Sequence, residues 1–199
     1  MKILVTGFDP FGGEAVNPSW EAVRLLPDRI GGAQIIKRVL PTEFARSAEA
    51  LESALDETLP DAAVCIGQAG GRAAVTPERV AINLMDARIP DNAGCRPVDE
   101  PVFPGGRSAY FATLPVKDMA RAMTSAGFPA ALSCTAGTYV CNSVMYTLLR
   151  LADEKYPSMR GGFVHVPYSA EQTAEKPDGT PFMSVSDMAR ALECALAVL

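Results

Sequence analysis

The sequence holds one histidine among its 199 residues, and that scarcity removes whole classes of chemistry. A single imidazole can build neither an HExxH helix nor a His-rich metal cluster. The chain also lacks a GxSxG elbow and a GxxxxGK[ST] phosphate loop. Its two glycine-rich stretches, "GFDPFGG" and "GQAGGR", miss the GxGxxG spacing of a dinucleotide turn, so they read as tight turns after strands. The five cysteines (Cys65, Cys95, Cys134, Cys141 and Cys194) are odd in number, widely spaced and without a CxxC pair. That argues against a disulfide framework or a thiolate metal site, and free thiols of this kind are usually buried. No run of Lys or Arg could track phosphates, and the formal net charge is -5, so neither nucleic acid nor an anionic membrane surface is an expected partner. No apolar run approaches the roughly 20 residues of a spanning helix. Met1-Lys2 leads straight into "ILVTGF" without a signal-peptide layout, so a soluble, cytoplasmic protein is expected.

What is present is a chain that is 48% hydrophobic and long enough for one substantial core, read as a single domain over residues 1–199. Short β-branched runs recur at Ile3 to Val5, Ile35 to Leu40, Ala62 to Ile66, Val80 to Leu84, Ala130 to Ser133 and Phe163 to Val166. Their continuity suits strands covered on both faces. Helical patterns lie between them. Asn17 or Ser19 can cap "WEAVRLL", Thr42 can cap "EFARSAEALESALDETL", and Pro115 precedes "VKDMARAM". "CNSVMYTLLRLADEKY" has helical spacing, and a last helix runs from about Ser186 to Leu199. The alternation predicts an α/β fold, an α/β/α sandwich around a mixed, mostly parallel twisted sheet, with ligands beyond the carboxyl ends of the strands. Residues 85–107, dense in Pro, Gly, Asp and Asn, are too long for an ordinary connection and read as a functional cover or as a disordered surface excursion.

Any imidazole base must be His165, at the end of the strand-like "GGFVHVP", where a lone histidine is otherwise a satisfied core side chain. Cys141 follows "TAGTYV" and opens a helix, where the macrodipole and a nearby imidazolium lower a thiol's pKa. Cys65, Cys134 and Cys194 read as structural, and Cys95 as an exposed loop thiol. A carboxylate is needed to orient the imidazole. Glu78, beside an apolar strand where a free charge is costly, leads modestly over Asp86, Asp91 and Asp99.

Taken together, "VTGFDPFGGEAVNPS", "PERVAINLMDARIPDNAG", "TAGTYVCN" and "FVHVP" resemble the pyroglutamyl-peptidase I (pyrrolidone-carboxylate peptidase) family, in order and over nearly the whole chain. The resemblance implies a cytosolic cysteine peptidase that removes N-terminal pyroglutamyl residues from small peptides, with an α/β/α sandwich fold, no cofactor and no metal. It implies Cys141 as nucleophile, His165 as base and Glu78 as orienting carboxylate. It points to Phe8, Phe11, Gln68, Tyr139 and Val140 as the lactam pocket, and to Arg88 beside the reacting carbonyl. Homo-oligomers, dimers or tetramers, are implied as well. Two departures stand out. Cys134 occupies what is commonly an Asn before "TAG", and Thr76-Pro77 precede Glu78 where an apolar residue is usual. Two other classes of answer are a phosphate-ester or nucleoside enzyme, with "GQAGGR" and Arg72 holding an anion, and a catalytically silent binding protein that kept the fold.

Overall fold

The computed structural model describes residues 1–174 and 176–199. Its chain order is β1 (Lys2–Phe8), α1 (Pro18–Leu25), β2 (Arg29–Ile30), β3 (Ala33–Leu40), α2 (Phe44–Thr58), β4 (Ala62–Gln68), β5 (Thr76–Glu78), β6 (Val80–Ile82), β7 (Ala109–Phe111), α3 (Val116–Ser125), α4 (Val140–Glu154), β8 (Arg160–Val166), α5 (Ala170–Thr173) and α6 (Val185–Leu196). The main sheet runs β2-β3-β1-β4-β8-β5. Its four inner strands are parallel, and β2 and β5 close the two edges antiparallel.

The continuous apolar runs follow from burial on both sides. In β1, Ile3 and Val5 face one core while Leu4 faces the other, and β4 and β8 divide their residues the same way. The first core is completed by α1, α3 and α6, with Val23, Met119, Met123, Met188 and Leu192 buried. The second is completed by α2 and α4, with Leu51, Leu55, Met145 and Leu148 buried. This is the expected three-layer α/β/α sandwich. Phe163 and, two residues on, His165 lie on the α4 side of β8, so the strand's parity aims the one imidazole at the start of α4.

Several expected elements differ in detail. Residues Val80 to Leu84 form no strand of the main sheet: β6 pairs only with β7 in a separate ribbon. Ala130 to Ser133 make two isolated bridges, Val75 to Ala130 and Glu78 to Ser133, instead of a strand. The edge strand is β5, whose Pro77 is tolerated because an edge position has no full ladder to complete. Asn17 is the N-cap of α1, its Oδ1 accepting from the Ser19 N–H at 3.1 Å, with Pro18 at the first helical position. Thr42 does not cap α2. Its backbone N–H and hydroxyl both go to Asp9, and the N–H of Phe44 is instead taken by the Asp91 carboxylate at 2.8 Å.

Asp91 belongs to the long segment 85–107, which is an ordered cover and no excursion. The other oxygen of Asp91 accepts from the N–H groups of Ala93 and Cys95 at 2.9 and 2.8 Å, so one carboxylate folds the segment and fastens it to α2. Asp86 exchanges two hydrogen bonds with Thr138, and the Tyr139 hydroxyl donates to the Pro90 carbonyl. The cover is thus docked on the turn that carries Cys141. Of the cysteines, Cys65 alone is fully buried, while Cys95 and Cys134 are exposed. The expectation of buried thiols fails for Cys134 because the segment before "TAG" lies outside the sheet.

Asp91→Ala strips an acceptor from three backbone N–H groups, and a loss of about 2 kcal/mol in unfolding free energy is expected. Urea denaturation followed by circular dichroism reads it. Glu43→Ala, at an N-cap position whose side chain makes no cap bond, should stay within about 0.5 kcal/mol of the parent.

Candidate active site

The site lies beyond the carboxyl ends of β1, β4 and β8, at the N-terminus of α4. Cys141 is the second residue of that helix, after Tyr139 at the N-cap. Gly137, at φ +77, makes the tight turn that delivers the chain into it. The first-turn N–H groups of Val140, Cys141 and Asn142 have no carbonyl one turn behind them, because the first helical bond runs from Ser143 to the Tyr139 carbonyl. Asn142 fixes the turn from the side. Its amide accepts from the Ile82 N–H and donates to the carbonyls of Ile82 and Leu84, lashing α4 to β6.

Cys141 and His165 open on one cavity of about 180 Å³, walled by Phe8, Phe11, Asn17, Thr42, Gln68, Ala69, Arg72, Ala136, Gly137 and Tyr139. The Phe11 and Tyr139 rings stand 6.0 Å apart, and Phe44 supports Tyr139 edge-on from behind at 5.4 Å. The Phe8 N–H is held by the Ser19 hydroxyl at 3.0 Å. Of the expected pocket residues, Val140 lines this cavity with no side-chain atom: it is buried in the α4 core. Arg88 lies in an adjoining, wider cavity of about 570 Å³ with Asp86, Ile89, Thr138, Gly70 and Tyr168. The two cavities share Phe11, Gln68, Gly137 and Tyr139, so they form one continuous cleft.

His165 Nδ1 meets Glu78 Oε1 at 2.7 Å. Glu78 is wholly buried on β5, opposite Phe163 and two pairs along from the Thr76–His165 pair. Antiparallel pairing of β5 with β8 is therefore what brings the carboxylate to the imidazole. With Nδ1 committed, Nε2 is the ring nitrogen available for proton exchange in the cavity. Asp86, Asp91 and Asp99 do not share this arrangement: Asp91 caps α2, and the other two lie on the cover.

Two contributors were not legible in the sequence. Gly67 pairs with His165 across β4 and β8, and a Cβ there would come within 2.8 Å of Cys141 Sγ and 2.7 Å of the Phe163 ring. The sulfur occupies the space that only glycine leaves. Arg72 donates to Glu78 Oε1 at 2.6 Å, to Thr76 Oγ1 at 2.5 Å and to the Thr135 carbonyl at 3.0 Å. One guanidinium thus joins the buried carboxylate to the turn ahead of Cys141. That commitment removes the cation on which an anion-binding reading of "GQAGGR" depended.

Burial pushes the Cys141 thiol up to about 12, with the charges of Glu78 and Cys65 adding to the effect and Arg72 and its own backbone N–H opposing it. The expected lowering is reversed because desolvation of a sulfur behind aromatic walls outweighs the helix terminus. Burial likewise lowers His165, against the pull of Glu78, and Arg72 lowers it further. Burial raises the Glu78 carboxyl, but the hydrogen bond and charge of His165, followed by Ser133 and Arg72, more than offset it, and its pKa falls below the usual value. At neutral pH the resting site therefore holds a thiol, a neutral imidazole and a carboxylate.

The profile of the pyroglutamyl peptidase family matches residues 1–199. The chain belongs to the pyroglutamyl peptidase family. It is a peptidase of the cysteine type. Among relatives, it is 52% identical to the pyrrolidone-carboxylate peptidase of Clostridium perfringens, covering 100% of this chain and 93% of that one. It is 53% identical to pyrrolidone-carboxylate peptidase 1 of Streptococcus pneumoniae serotype 4, covering 100% and 92%. Its fold is similar to the crystal structure of Bacillus amyloliquefaciens pyroglutamyl peptidase I at a TM-score of 0.95, with 49% identity over 98% of this chain and 95% of that one. A mutant pyrrolidone carboxyl peptidase from P. furiosus superposes at 0.94, with 44% identity over 100% and 97%. No group of three or more His, Cys, Asp or Glu among the described residues is placed to hold a metal ion. No helix among them is long and apolar enough to cross a membrane.

A pH profile tests the electrostatics. With neutral His165 as the proposed base, kcat/KM should rise through an acid limb centred below the usual imidazole value of about 6.5. Arg72→Gln removes a positive charge that lowers His165, and its acid limb should lie at higher pH than that of the parent.

Proposed function

We propose that Cys141, His165 and Glu78 act as a triad that releases an N-terminal pyroglutamyl residue from small peptides through a thioacyl-enzyme. The observation that carries this reading is the 180 Å³ cavity on which Cys141 and His165 both open, with Glu78 Oε1 held 2.7 Å from the imidazole Nδ1. A cavity of that size is below the 300 Å³ or more of sites for drug-sized ligands and suits a single small ring. A pyroglutamyl lactam is uncharged, and among the described residues no carboxylate lines the cavity to receive a free amino terminus.

In this mechanism the lactam lies between Phe8, Phe11 and Tyr139, with Gln68 and the backbone of the Val140 turn pairing its polar edge. His165 Nε2 takes the proton of Cys141 as sulfur attacks the scissile carbonyl, and Glu78 stabilises the imidazolium so formed. The unpaired N–H groups at the start of α4 hold the oxyanion, each worth about 2.7–4 kcal/mol in acyl transfer. His165 then protonates the departing amine, and the rest of the peptide leaves through the wider cavity past Arg88. Water deprotonated by His165 releases pyroglutamate. A prolyl residue lacks the ring carbonyl and would leave the pocket's donors unpaired, so it is rejected. The expectations of a dimer or tetramer and of a cytoplasmic location stand beside this reading, the second in keeping with five free thiols.

Release of a chromogenic amine from a pyroglutamyl amide should be seen with the parent protein and abolished by a thiol alkylator or by Cys141→Ala. Glu78→Gln should lower kcat about ten-thousand-fold, as when a serine triad's carboxylate becomes an amide. The matching prolyl amide should not be cleaved. An inert parent, or a fully active Cys141→Ala, refutes the reading.

A further inference from the structure

Beyond the aromatic walls, the cavity contains one long side-chain amide, that of Gln68. A glutamine can present either its carbonyl or its NH2, and these have opposite consequences for a lactam. Here the choice is made outside the cavity. Gln172, buried on the short helix α5, donates from Nε2 to Gln68 Oε1 at 2.9 Å. The polarity of Gln172 is itself fixed by two backbone groups that cannot be reversed. Its Oε1 accepts from the Ser169 N–H at 3.1 Å, and its Nε2 donates to the Val16 carbonyl at 3.4 Å. A backbone N–H only donates and a backbone carbonyl only accepts, so rotating the Gln172 amide would lose both bonds and face like groups together.

We infer that Gln172 is a specificity-determining positioning residue: it holds the Gln68 amide so that Gln68 offers N–H, and not C=O, to the ring carbonyl of the substrate. The inference rests on the assignment of the cavity to a pyroglutamyl lactam. Ser169 and Val16 impose a direction on Gln172, Gln172 imposes it on Gln68, and Gln68 reads the one group that distinguishes pyroglutamate from proline. Gln172 touches no reacting atom in this scheme, so its loss acts on substrate binding more than on chemistry. The same chain ties the α5 region to the loop between β1 and α1, which carries Phe11, and so couples the direction of the donor to the position of the aromatic wall.

Gln172→Glu supplies the test, because an ionised carboxylate of the same shape still accepts from Ser169 but has no hydrogen to give. Gln68 must then turn its NH2 toward residue 172 and its carbonyl toward the lactam. With a pyroglutamyl amide at pH 8, KM should rise about tenfold or more over the parent while kcat changes less than threefold. As the pH falls and the carboxyl regains a proton, the KM ratio of variant to parent should shrink toward one, which a merely structural role would not produce. Gln172→Met, which has no hydrogen to donate and only a weakly accepting sulfur, should raise KM several-fold with no such pH dependence, and it keeps the test open if the carboxylate is not accommodated. Circular dichroism establishes that each variant is folded. A KM within twofold of the parent in both folded variants, or a loss confined to kcat, overturns the inference while leaving the peptidase reading intact. A parent inert on pyroglutamyl amides overturns both.

Discussion

A wholly buried carboxylate is the constraint around which this site is built. Glu78 has no contact with solvent, and an ionised carboxylate in that position is tolerable only if its charge is matched at close range. His165 and Arg72 meet the same oxygen, at 2.7 and 2.6 Å. Arg72 in turn needs acceptors of its own, and finds them in Thr76 and in the carbonyl of Thr135. The requirement to keep one charge satisfied therefore reaches from β5 through the β4–β5 loop to the turn before Cys141. Three segments far apart in sequence are held in register by a single electrostatic need.

The sheet supplies what such an arrangement requires. Parallel strands β1, β4 and β8 end at the same level, so His165 stands beside Gly67 with Gln68 one residue further on in β4, while the antiparallel edge strand β5 runs back alongside β8 and places a carboxylate behind the imidazole. A parallel strand at that edge would enter from the opposite end. The reversal explains how Thr76-Pro77 can stand before Glu78. At an edge the proline breaks no complete ladder, and the threonine hydroxyl becomes a partner of Arg72.

The layered fold was legible in the sequence because burial on both sheet faces leaves continuous apolar runs. Cys141, His165 and Glu78 could be named from residue type and resemblance, since one histidine admits one imidazole base. What the sequence could not carry was pairing. Val80 to Leu84 read as a core strand from its β-branched residues, yet only tertiary packing decides that β6 joins a peripheral ribbon with β7. Thr42 had the right chemistry for a cap, but Asp9 claims it and Asp91 comes from the cover to take its place. Gly67 was hidden for another reason: a glycine in a glycine-rich turn gives no sign that the missing Cβ is the room a sulfur occupies. Arg72 and Gln172 are likewise ordinary polar residues until their partners are known.

The reversal of the thiol's expected shift gives the network its purpose. A pocket for an uncharged ring is best walled with aromatic groups, and those walls desolvate Cys141 and His165 together. The helix N-terminus does not overcome that desolvation, so the pair rests neutral. In the mechanism we propose, charge then appears only when sulfur attacks, as an imidazolium on His165 and an oxyanion at the start of α4. Each must be met by groups already in place. Glu78 meets the first and the unpaired N–H groups of the α4 turn meet the second. His165, and after it Ser133 and Arg72, hold Glu78 ionised, and Arg72 also anchors the segment leading into that turn. On the proposed mechanism the stabilisation is thus concentrated in the transition state, where it accelerates reaction, and not in a resting ion pair, where it would be spent before substrate arrives.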